Sequence, residues 1–212
     1  LIFGLDIKSL TPPEAGKDDF LMDLYTPIYT NRLILREFEP DDWQDAYEYL
    51  SDPDVLQFME YYPCGEEQAK IYVQTILALQ KEQPRRHIKF AVLLKNTGRV
   101  IGECGLIIAD NDDSAGLCYR LNRTFWNKGY GTEAAAAVIK FGFDRLRLHR
   151  ISALCDTRNT ASSRVAEKTG MKKEGCMREH KWVKDGWIDS SIYSILEHEC
   201  QAEETAGIKS AV

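Results

Sequence analysis

The chain has 212 residues, 44% of them hydrophobic, and a formal net charge of -6, which suits one well-cored domain. The acidic balance speaks against a nucleic-acid surface, which needs a basic face to neutralise phosphates. No apolar run reaches the roughly 18 residues that span a bilayer, and LIFGLDIKSL at the start lacks a basic leader and a small-residue cleavage site. The expectation is a soluble, cytoplasmic protein with no membrane or nucleic-acid partner. The oligomeric state stays open, a homodimer included. Six cysteines without a CxxC pair and four histidines without an HExxH pattern predict reduced thiols and no metal site.

Residues 1–29 hold the loop-like cluster TPPEAGKDD and read as an N-terminal arm. RLILREF, from Arg32 to Phe38, alternates as a half-buried strand. Pro40, Asp41 and Asp42 then open a helix carrying Trp43, Ala46, Tyr47 and Leu50 at helical spacing. A second helix is predicted from Glu66 to about Lys81, stopped by Gln83-Pro84. The strands IKFAVLL and RVIGECGLII follow, joined by Lys95-Asn96-Thr97-Gly98, and AGLCYRL completes an antiparallel meander. The pattern then changes to a helix from Gly129 to about Leu146, the strand RISALCDT and a helix from Thr160 to Thr169 with a Gly170 stop. MKKEGCMREHKWVK and WIDSSIYSILEH form a hairpin about Asp185-Gly186. The domain thus runs from 30 to 198, and 199–212 is a polar tail.

The glycine-spaced stretch TFWNKGYGTEAAAAVIKFGF, which enters a helix, suits an anion, because first-turn N–H groups and the helix dipole both favour negative charge. It lacks the GxxxxGK pattern of a P-loop. Gly129, Gly131 and Ala134 do satisfy GxGxxA, with Asp156 where a dinucleotide-binding acid is wanted. Against that, NRTFWNK separates the first glycine from its strand, and no second nucleotide-binding half follows. Coenzyme A, whose pyrophosphate can lie on such a loop, is the third reading. A plain tight turn between strand and helix is the fourth.

RLILREFEPDD, FWNKGYGTEAA, RISALCDTRNTASSRVAEKTGM and EGCMREHKWVKDGWIDSSIYSIL, in this order and spacing, resemble the Gcn5-related N-acetyltransferase (GNAT) superfamily, and within it the ribosomal-protein alanine N-acetyltransferases. The resemblance implies an α/β fold with a mixed, mostly antiparallel central sheet of about seven strands and about four flanking helices. It implies direct acetyl transfer from acetyl-CoA to an amine in a ternary complex. It also places the pyrophosphate on Asn127, Lys128, Gly129, Tyr130, Gly131 and Thr132. Trp126 stands where the superfamily pattern has Gln or Arg.

By the same resemblance, Leu121 and Asn122 end a splayed strand that meets the pantetheine, Asn159 holds the pantetheine arm or the acceptor, and Ser162 donates to the departing sulfur. Asn159 is equally well placed as a helix N-cap. An amine attacks only through its lone pair, so a base is needed, and Glu103 in IGECG is the first candidate, Glu179 the second. Tyr61, Tyr62, Trp182 and Trp187 are candidates for the acceptor side. The acidic balance suits a cationic acceptor: a protein N-terminus, a polyamine or an aminoglycoside. A non-catalytic acyl-CoA-binding regulatory module is the alternative from another class.

Overall fold

The computed structural model describes residues 25–200. Residues 1–24 of the expected arm and 201–212 of the expected tail lie outside them. The described elements are β1 (Ile28–Tyr29), β2 (Leu33–Glu37), α1 (Trp43–Leu50), α2 (Glu66–Leu79), β3 (His87–Leu94), β4 (Val100–Ile108), β5 (Ser114–Leu121), α3 (Tyr130–Asp144), β6 (Arg150–Asp156), α4 (Thr160–Lys168), β7 (Lys172–Val183) and β8 (Gly186–Leu196). A helical turn follows at 197–200.

All eight strands join one sheet in the order β1-β2-β3-β4-β5-β6-β8-β7. The extra strand relative to expectation is β1. Its two residues, placed in the arm by the sequence reading, pair with Leu35 and Ile34. Two residues are too few to show alternation, so only the partner strand reveals them. Every neighbour pair is antiparallel except β5 with β6, which the α3 crossover joins in parallel.

Leu33 and Leu35 on β2 are fully buried and alternate with residues that face the opposite side. They join Ile88, Phe90, Ile101 and Leu106 beneath the apolar face of α3, which supplies Ala134, Ala135, Val138 and Ile139. Each large side chain removed from water there contributes about 1.5–3 kcal/mol. The other face of the sheet carries a second core, where Ala91, Leu93 and Val100 meet Ala46, Tyr49 and Leu50 of α1 and Val73 and Ile76 of α2. The sheet is therefore covered on both sides. α1 and α2 lie on one face, α3 and α4 on the other.

Candidate active site

The strands β5 and β6 hold together only at their start, where Ser114–Gly116 pairs with Arg150–Ser152. Beyond that point β5 stays with β4 as far as Leu121, and β6 stays with β8 as far as Asp156. The two strands part, leaving a slot of about 300 Å3 lined by Leu117, Tyr119 and Ser162 from one face of the sheet and by Lys89, Glu103 and Arg120 from the other. Extended backbone flanks the gap on both sides.

At the mouth of the slot the chain turns into α3. Asn122 has little left for a ligand. Its side-chain oxygen accepts from Thr124 N, its amide donates to Glu48, and its backbone N–H donates to Ile101 O. Leu121 is similarly engaged, with its carbonyl accepting from the Trp126 indole N–H at 2.8 Å. The β5 residues that line the slot are Gly116, Leu117, Cys118, Tyr119 and Arg120, a stretch just before Leu121 and Asn122 on the strand.

Asn127 and Gly129 adopt left-handed backbone, with φ of 58° and 79°. Gly129 is the N-cap of α3, and no side chain caps the helix. The first-turn N–H groups of Tyr130, Gly131 and Thr132 are thus left for another acceptor. A methyl group added at Gly131 would meet nothing in the protein closer than 3.5 Å. Packing within the chain does not demand a glycine there, whereas close approach of a ligand to the backbone does. Arg32 fixes the outer side of the turn by donating to Lys128 O at 2.9 Å and to Glu133 at 2.7 Å. Its guanidinium also covers the Tyr130 ring.

Asn159 is indeed an N-cap, since its Oδ1 accepts from Ser162 N at 3.0 Å. It also lines the slot. The Tyr119 hydroxyl donates to Ser162 Oγ at 3.1 Å, which leaves the serine proton to be given to a third group. Burial pushes the Tyr119 phenol up to about 12, so it keeps its proton at neutral pH. Asp156 is clamped by Arg158 through both carboxylate oxygens, which removes it as a ribose-binding acid.

Glu103 lies on the other face, 4% exposed. Its carboxylate accepts from the Tyr72 hydroxyl at 2.6 Å, Arg120 Nε at 3.1 Å and Lys89 Nζ at 3.3 Å. Burial pulls its pKa upward, but the Arg120 guanidinium and the Lys89 ammonium outweigh burial and hold it at about 2. A carboxylate of such low basicity, engaged by four donors once the Tyr49 hydroxyl at 3.5 Å is included, is a poor proton acceptor for an amine. The geometry gives Glu103 the role of tying together the buried Arg120 and the largely buried Lys89. Glu179 is exposed, with φ of 46°, on an irregular stretch of β7.

The Acetyltransferase (GNAT) domain model matches residues 32–172. Uncharacterized N-acetyltransferase YnaD of Bacillus subtilis is 36% identical over 172 residues, covering 81% of this chain and 98% of its own. The chain belongs to the GNAT acetyltransferases. Among solved structures, a GNAT-family acetyltransferase from Bacillus anthracis superposes with a TM-score of 0.73 at 33% identity, covering 82% of this chain and 99% of that one. The ribosomal alpha-N-protein acetyltransferase RimL, solved in complex with coenzyme A, shares the fold with a TM-score of 0.71 at 20% identity, over 80% and 97% of the two chains.

In this GNAT enzyme several groups on the slot were not singled out from sequence. Tyr119, Lys89 and Arg120 read as ordinary strand residues, and Tyr72, which donates to Glu103 behind them, as one of the residues of a helix. His180 is the clearest case. Between Met177 and Lys181 the register with β8 shifts, and the irregularity turns His180 into the slot, as bulges commonly re-aim side chains. Its Nδ1 lies 3.0 Å from Ser190 Oγ. Burial lowers its pKa below the ordinary 6.5, so the ring is mostly neutral at pH 7. Of the proposed acceptor-side aromatics, Tyr61 lines the slot, while Trp182 and Trp187 pack edge to face on the β7–β8 hairpin. Among the described residues no group of three or more His, Cys, Asp or Glu side chains gathers to hold a metal ion, and no helix is long and apolar enough to cross a membrane.

Proposed function

We propose that the protein transfers an acetyl group from acetyl-CoA to a primary amine by direct attack in a ternary complex. The observation that carries this reading is the slot between β5 and β6, lined from both faces of the sheet. A donor seated over α3 and α4 and an acceptor arriving beneath α1 and α2 can meet only through such a gap. The uncapped first turn at Gly129, Tyr130, Gly131 and Thr132 takes the pyrophosphate of coenzyme A, with Asn127 and Lys128 on the approach. Backbone groups of β5 near Tyr119 and the Asn159 amide hold the pantetheine arm along the slot.

His180, neutral at working pH, takes the proton from the acceptor nitrogen, freeing the lone pair that attacks the thioester carbon. Main-chain N–H groups at the parted strands polarise the carbonyl. As the C–N bond forms and the C–S bond breaks, Ser162 gives its proton to the departing sulfur and is resupplied by the Tyr119 hydroxyl. The acceptor ammonium gives up two protons, one to His180 before attack and one from the nitrogen as the amide forms; one proton reaches the sulfur by way of Ser162 and Tyr119, and the other is released to solvent. Exchange with solvent resets both groups.

The test is free thiol released from acetyl-CoA against peptides with free N-termini, polyamines, aminoglycosides and amino acids, with NADH binding as a control. Amine-dependent release supports the proposal. Tight acetyl-CoA binding without turnover on any amine would mark a regulatory module instead, and NADH binding without affinity for coenzyme A would defeat the reading.

A further inference from the structure

Beneath α2 the slot ends in a cluster whose charges do not balance. Lys89 from β3, Glu103 from β4 and Arg120 from β5 have side chains 17%, 5% and 7% exposed. Two cations therefore face one carboxylate. The other groups packed on them are neutral at pH 7: the hydroxyls of Tyr49 and Tyr72 and the thiol of Cys118 are all pushed up, chiefly by burial. The remaining charges lining the slot are matched, Glu60 with Lys181 and Asp156 with Arg158. The slot thus carries one positive charge in surplus where water is scarce.

Buried charge is costly unless it is paired. Hydrogen-bonding capacity remains as well. Arg120 spends Nε on Glu103 and Nη2 on Tyr72, while no hydrogen bond among the described residues uses Nη1. Its guanidinium also sits against the exposed ring of Tyr61, 5.6 Å from the centroid.

We propose that this cluster is an anion site for the acceptor, and that the enzyme acetylates a small amine that also carries a carboxylate. One carboxylate neutralises the surplus and accepts from Arg120 and Lys89 in a charge-assisted pair. A cavity of about 300 Å3 that also admits the acetyl-bearing end of the donor suits a small acceptor. The net charge of -6 over the chain points the other way, toward cationic acceptors. That field is screened within roughly 8–10 Å at physiological salt, whereas charges lining a buried slot are screened far less. A polyamine or an aminoglycoside would bring further positive charge to a site already in surplus.

The inference rests on the amine-acetylation reading, and two measurements separate their failures. The first compares kcat/KM for glycine, β-alanine and gamma-aminobutyrate with their methyl esters and with putrescine. Free acids favoured by at least about tenfold, the worth of one hydrogen bond to a charged group, are expected. Esters or putrescine turned over as well or better would overturn the inference while leaving amine acetylation intact.

The second needs no turnover: calorimetric binding of N-acetyl-β-alanine against its methyl ester, with coenzyme A present. Tighter binding of the acid by at least about tenfold supports the anion site even in a protein that acetylates nothing, and equal binding overturns it. In Lys89→Met, which removes the surplus, the preference for the acid should fall toward unity in both measurements. A preference that survives intact would assign the selection elsewhere.

Discussion

Replacing Glu103 by Gln separates the two roles a carboxylate at that position could have. The side chain keeps its shape, but Arg120, buried, and Lys89, largely buried, lose the anion between them. Removing one partner from a buried charge network costs roughly 3–5 kcal/mol. The carboxyl gives a similar figure independently, because a pKa of about 2 instead of 4.5 corresponds to about 3 kcal/mol. The sign follows from the lowered value: this contribution is fully present above pH 4.5 and is lost as pH falls toward 2. For a chain of this size each kcal/mol moves the melting temperature by about 2–4 °C, so Glu103→Gln should melt roughly 6–20 °C lower at pH 7 by circular dichroism. Adding Lys89→Met, which removes one of the two unpaired cations, should recover part of that loss. A Glu103→Gln protein that melts within about 2 °C of wild type yet loses thiol release a hundredfold or more would refute the electrostatic account and restore Glu103 as the base.

Gly131→Ala should weaken acetyl-CoA binding by about tenfold or more, measured by calorimetry, with an unchanged melting temperature, because the protein itself has room for the methyl group. Ser162→Ala should lower kcat roughly tenfold to hundredfold with little change in the acetyl-CoA KM, and a fully active variant would reduce Ser162 to a helix-start residue. Wild-type kcat/KM should fall as pH drops through the lowered His180 pKa, below 6.5, because the protonated ring cannot accept a proton. In His180→Gln that limb should vanish and the rate should drop, while a limb that persists would assign the base to another group. Arg32→Ala should loosen acetyl-CoA binding several-fold by releasing the outer side of the turn from Lys128 O and Glu133.

The order of elements was legible because it is written locally. Alternation marks β2, helical spacing marks α1 and α2, Lys95–Gly98 marks the β3–β4 turn and Asp185-Gly186 marks the last hairpin. The uncapped turn into α3 was legible for the same reason, since glycines before an amphipathic helix carry a local conformational and electrostatic meaning. Ser162 was singled out by position in a motif and Glu103 by its place on a central strand, and the slot brings both to its walls from opposite faces of the sheet. Their surroundings were not legible. Nothing near Glu103 in the chain announces that Tyr72, Lys89 and Arg120, lying 31, 14 and 17 residues away, converge on its carboxylate.

What the sequence by itself determined is the set of elements from β2 onward, their order and the glycine-spaced turn into α3, because propensity, periodicity and glycine spacing act over a few residues. What only the tertiary structure decided is where β5 and β6 part, which way the irregular stretch of β7 turns His180, and that two cations meet one carboxylate beneath α2. Those features arise from register and convergence between strands far apart in the chain. Basicity and local charge follow from that convergence, and the net charge of -6 gives no sign of it.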